Sequence, residues 1–132
     1  MKDNQHEQLF SELTPEEAAV IEGGKRIILH KIKCVRANMD TPASLNSDDV
    51  YIKIGGQTVW GPKSMDDGHI IELNDIGRNF SNSIKVSLWD DDPGFDDEIA
   101  SKNFSAITNG WKSAAFINAN GSSYRLTYKI TA

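Results

Sequence analysis

Six carboxylates fall within nine consecutive positions in Asp90-Asp91-Asp92-Pro93-Gly94-Phe95-Asp96-Asp97-Glu98. Such a run repels itself strongly unless a cation neutralises it. In an extended segment alternate side chains share one side, so Asp90 and Asp92 reach one point while Asp91 faces away. A second acidic stretch, from Asn38 to Tyr51, contributes Asp40, Asp48 and Asp49. Neither stretch contains histidine or cysteine. An all-oxygen donor set of this kind selects a hard cation, and Ca²⁺ takes about six to eight oxygens in flexible geometry. Ca²⁺ is therefore the expected cofactor.

Other chemistries find little support. His6, His30 and His69 have no serine or cysteine motif to serve, so no enzymatic activity is expected. The single cysteine, Cys34, excludes an internal disulfide and a multi-cysteine zinc site; it lies in an apolar alternation and reads as a core residue. Trp60 and Trp111 read as core or rim packing rather than a carbohydrate platform. The net charge of -5 is unevenly placed. Residues 1–24 hold one base and six acids, and the rest carries 13 bases and 13 acids. That neutral remainder has no basic run and does not read as a nucleic-acid binder.

The elements that must position these loops are strands. Arg26 to Arg36 alternates, with Ile28, Ile32 and Cys34 as inward candidates. Val50, Ile52 and Ile54 lead to the hairpin dipeptide Gly55-Gly56 and a return over Gln57 to Trp60. Ile70 to Leu73 follows an Asp66-Asp67-Gly68 turn, and Ile84, Val86 and Leu88 alternate with polar partners. Trp111 to Ala119 and Ser123 to Thr131 flank Asn120-Gly121, a strong hairpin signal. The pattern predicts an all-β antiparallel sandwich of about eight strands over residues 25–132, preceded by a separate segment over residues 1–24.

The two acidic stretches also resemble calcium loops of C2 domains. Leu88-Trp89-Asp90-Asp91-Asp92 and Asp97-Glu98-Ile99-Ala100 are similar to that family's third loop. Ser47-Asp48-Asp49-Val50-Tyr51-Ile52-Lys53 resembles its strand after the first loop. The resemblance implies Asp40, Asp49, Asp90, Asp92 and Asp97 as calcium ligands, with Asp48 and Asp96 as substitutes. Ala100 stands where the family has glycine, Val50 where it has proline, and the third loop is about one residue shorter. In the family, calcium bridges to anionic lipid while apolar tips insert; Leu45 and Phe95 occupy such tips here.

Residues 1–24 read as a helical or disordered segment, with a short amphipathic helix ahead of a flexible Gly23-Gly24 dipeptide. Thr14 and Glu17 form a capping box, Pro15 takes the first helical position, and Leu9, Leu13, Val20 and Ile21 lie on one stripe before Gly23. Leu13, Thr14, Glu17, Ala18, Ile21, Gly23 and Gly24 resemble the double-glycine leaders of bacterial exported peptides. The resemblance implies cleavage after Gly24 by the peptidase domain of an ABC exporter and an extracellular mature protein. A helix docked on the sandwich is the alternative reading of this segment. A metal-free adhesive sandwich and a bacteriocin-like effector are the alternative functions.

Overall fold

The computed structural model describes residues 24–38 and 47–132. Eight strands run in chain order: β1 (Lys25–Arg36), β2 (Ser47–Ile54), β3 (Gln57–Asp66), β4 (Ile70–Phe80), β5 (Ile84–Asp90), β6 (Asp97–Phe104), β7 (Lys112–Ile117) and β8 (Ser123–Thr131). They form two four-stranded antiparallel sheets, ordered β4-β1-β8-β7 and β3-β2-β5-β6. Among the described residues there is no helix. The expected helical leader over residues 1–24 lies outside the described residues, apart from Gly24.

Period-two alternation drives the two sheets together. Val50, Ile52 and Ile54 of β2, Val86 and Leu88 of β5, and Leu126 and Ile130 of β8 are buried in one cluster. Their alternate neighbours Lys53, Lys85, Arg125 and Thr127 stay at least partly in water. In β1 the buried residues are Ile27, Leu29, Ile32 and Cys34, whereas Ile28 is only partly buried and lies in the outward phase. The ladder with both neighbours shifts between Leu29 and Lys31. This bulge adds one residue at His30 and reverses the phase, which corrects the expectation that Ile28 points inward.

Strand ends depart from the sequence reading at sheet edges. β3 continues past Trp60 to Asp66 although it contains Pro62. It is an edge strand, where proline removes no needed ladder bond. β4 runs to Phe80 rather than Leu73, taking up an irregularity at Asn74 and Asp75, both at φ 55. Gly55 and Gly56 adopt φ 58 and 85, the two-residue turn expected there. The β7–β8 hairpin also forms, with a longer loop: β7 stops at Ile117, and Asn118 N–H donates to the Ser122 carbonyl.

β6 had no alternation to reveal it. Only Ile99 and Phe104 of its eight residues are buried. Cys34 is fully buried and burial pushes its thiol up to about 11, as fits a core residue.

Leu126 is fully buried between the sheets, so Leu126→Ala leaves a cavity. We expect a loss of about 2–5 kcal/mol in denaturant unfolding.

Candidate metal centre

The site is built where β5 ends and β6 begins. Asp90 is the direct cross-strand partner of Asp97, and of Val50 on the other side. That pairing brings two carboxylates from opposite ends of the acidic loop together, and the turn of the loop adds Asp92. The carboxylate oxygens of Asp90, Asp92 and Asp97 lie within 4.8 Å of one another. Asp90 is buried, Asp92 partly exposed and Asp97 exposed, so the group opens from the sandwich end toward solvent. Two calcium–oxygen bonds of about 2.4 Å span ~4.8 Å, so this spread matches oxygens around one ion. The donors are hard oxygens alone, which fits Ca²⁺ and disfavours a soft transition metal.

The five aspartates expected as ligands divide. Asp90, Asp92 and Asp97 come together. The carboxylate of Asp49 lies outside that group, and Asp49 meets it through the main chain. Its N–H donates to Asp90 Oδ1 at 2.8 Å, while its carbonyl accepts the Asp91 N–H at 2.8 Å. Asp40 and Leu45 lie outside the described residues. Phe95 stands 85% exposed at the tip of the same loop.

The two substitutes have other partners. Asp48 lies in phase with Val50 and Ile52 and is fully buried. Tyr124 Oη donates to its Oδ2 at 2.6 Å and Ser122 Oγ at 3.3 Å. Burial, then the neighbouring Asp48 carboxylate, drives the Tyr124 hydroxyl far above the ordinary tyrosine range. Asp96 faces the outer side of the β2 sheet instead. Tyr51 Oη donates to Asp96 Oδ2 at 2.6 Å, and the Asp92 N–H donates to Oδ1 at 3.2 Å. One carboxylate thus ties the acidic loop to β2 and fixes the backbone at Asp92. The Tyr51 hydroxyl, helped by the Asp92 N–H, holds the Asp96 carboxyl below the usual range. Asp91 beside it is raised, by desolvation and then by its contact with Asp96.

Neither bond was read from the sequence. The signal for Asp48 was present in its phase with the inward residues of β2. That for Tyr51 with Asp96 was not, because they are distant in sequence. Tyr51 also stacks on Trp89 with ring centroids 6.3 Å apart, and Lys53 Nζ lies 4.5 Å from the Trp89 centroid. These side chains build a rigid outer face beneath the loop.

No protein-family model matches the chain, and no curated protein matches it. Solved structures do. A structure described as that of a C2 domain is similar with a TM-score of 0.54 and 13% identity, covering 82% of this chain and 99% of that one. A structure of extended synaptotagmin 2 that holds two C2 domains is similar with a TM-score of 0.50 and 16% identity, covering 83% of this chain and 40% of that one. At these identities the likeness shows the fold: a C2-like sandwich.

Tyr51→Phe removes the main cause of the depressed Asp96 carboxyl. Its titration, followed by carboxyl-carbon NMR, should move up toward the ordinary value of about 3.9. A depressed folded-state value contributes stability that is present above the unfolded value and lost as pH falls through the folded one. The wild-type chain should therefore lose this contribution in the acid range below about pH 4, and the variant should lack that part of the pH dependence.

Proposed function

We propose that this C2-like sandwich is a non-enzymatic calcium-binding module whose ion sits among Asp90, Asp92 and Asp97. The observation that carries the reading is the convergence of three carboxylates within 4.8 Å at one end of the sandwich. Asp40 and Asp49 are the further ligands that the resemblance to C2 calcium loops implies, and the Asp49 N–H also fixes Asp90 by donating to its carboxylate. Calcium supplies the positive charge that this set concentrates around. The aspartates supply geometry, with Asp90 as the buried floor and Asp92 and Asp97 as the open rim. The exposure of Phe95 beside the rim supports docking to an anionic lipid surface, with the ion bridging protein and headgroup.

Residues 1–24 are proposed to be a leader, removed after Gly24 by an ABC exporter's peptidase domain, so that the module acts outside the cell. Beyond the motif itself, one observation supports this: β1 begins at Lys25, the residue after Gly23-Gly24. Cleavage there leaves all eight strands intact.

Two measurements test these readings. In thermal unfolding, calcium at about a hundred times its dissociation constant should stabilise the chain by ~2.7 kcal/mol, raising Tm by several degrees. Magnesium or excess chelator should give no such rise, and Asp92→Asn with Asp97→Asn should abolish it while the buried Asp90 stays in place. A chain indifferent to calcium overturns the assignment. For the leader, co-expression with a double-glycine exporter should yield a secreted product whose mass starts at Lys25. Gly24→Val should block that product.

A further inference from the structure

The outer face of the β4-β1-β8-β7 sheet is basic. Lys31 and Lys33 of β1 alternate with buried Ile32, and Arg125 and Lys129 of β8 alternate with buried Leu126 and Ile130. Arg26 lies flat over Gly77 on the same face, so close that a side chain at Gly77 would strike the guanidinium. Lys33 and Arg125 are direct cross-strand partners, an arrangement that costs stability unless an anion covers it. Among the described residues none of these five cations makes an ion pair. Two acids share this face: Glu72, the cross-strand partner of Lys31, and Asp75, and both engage His30, at 3.9 and 3.0 Å.

The face is not purely polar. Trp111 is 42% exposed beneath Lys129, whose Nζ lies 4.6 Å from the ring centroid, and Ile70 and Ile117 are exposed at opposite margins. Its complement is a surface carrying acids on either side of an apolar ridge.

Residues 1–22 have that character. They contain six acids and one base, and the chain's formal charge of -5 resides there. On the helical reading Leu9, Leu13 and Val20 form the ridge, with Glu12 and Glu16 on one flank and Glu17 on the other. The segment joins the sheet at Lys25 of β1, an interior strand, so it leaves from mid-sheet. Gly23-Gly24 permits the reversal. On the helical reading residues 9–22 would span about 21 Å, and Lys33 stands about 26 Å along β1 from Lys25, so the segment is long enough to reach the cationic rows.

We propose that in the uncleaved chain the acidic N-terminal segment docks on this basic face, covering it until the segment is removed. The contact is intramolecular and independent of calcium. Fusing the two ends of the charge pattern in one chain keeps the local concentration of the occupant high.

The test uses the full chain with a nitroxide on Ser11→Cys. On the helical reading Ser11 falls on the side away from the ridge, and Cys34 is fully buried and does not compete for the label. Amide signals of Lys31, Lys33, Arg125 and Thr127 should lose more than half their intensity. Those of Lys53 and Ser87, on the opposite sheet, should keep theirs. Sodium chloride at about 1 M, where the screening length falls to ~3 Å, should restore the lost signals. So should Glu12→Lys, Glu16→Lys and Glu17→Lys together, all of which precede β1. No broadening, equal broadening of both sheets, or broadening that survives the triple variant overturns the proposal. Broadening carried from a spin-labelled chain to an isotope-labelled one would show pairing between copies and overturn it as well.

Discussion

Asp48 has no access to water, so the protein must supply hydrogen-bond partners for its carboxyl group, and three separate parts of the chain meet around it. Tyr124 and Ser122 bring the β7–β8 hairpin, and the Asn38 N–H, donating to Ser122 Oγ at 2.8 Å, brings the end of β1. A buried carboxylate with its donors in place is satisfied in one geometry only, and removing a donor is costly. The strand ends that flank the first acidic loop, of β1 and β2, are consequently held together across the two sheets. The same sandwich end then presents its other aspartates outward.

On that anchored end, like charges are kept together by specific bonds. Asp90 takes the Asp49 N–H, and Asp96 takes Tyr51 and the Asp92 N–H. Each bond offsets part of the repulsion and sets the backbone beneath a neighbouring aspartate. Asp91 and Asp96 face the outer side with Tyr51 and Lys53 around a recess of about 310 Å³, while Asp90, Asp92 and Asp97 converge on the other side of the loop. Pre-organisation of this kind lets a ligand bind without first ordering the loop.

Much of the architecture was legible because burial imposes a period of two on strands. β2, β5 and β8 display it plainly, and the glycine pair at 55–56 marked its hairpin. Where the period failed, the reason is local. The bulge at His30 reversed the phase of β1, so Ile28 was read as inward. β6 buries only two residues far apart, so its acidic start was read as loop and its strand went unlocated. β3 and β4 were read short because Pro62 and the Asn74-Asp75 pair look like breakers, although an edge strand accepts both. For the site, spacing brought out Asp90 and Asp92, and family resemblance brought out Asp97. The partition of roles between Asp96 and Asp97, or Asp48 and Asp49, depends on which side of the sheet each faces and on partners far away in sequence.

The irregular edges have a consequence for how such chains behave when crowded. An open sandwich leaves four outer strands, each offering unpaired N–H and carbonyl groups to any neighbour. Here β3 carries Pro62 and Lys63, β4 is broken by two left-handed residues at Asn74 and Asp75, and β7 is only six residues long. β6 bears Lys102 among exposed polar side chains. None of the four presents the long, flat, apolar border that templates strand addition and fibril growth.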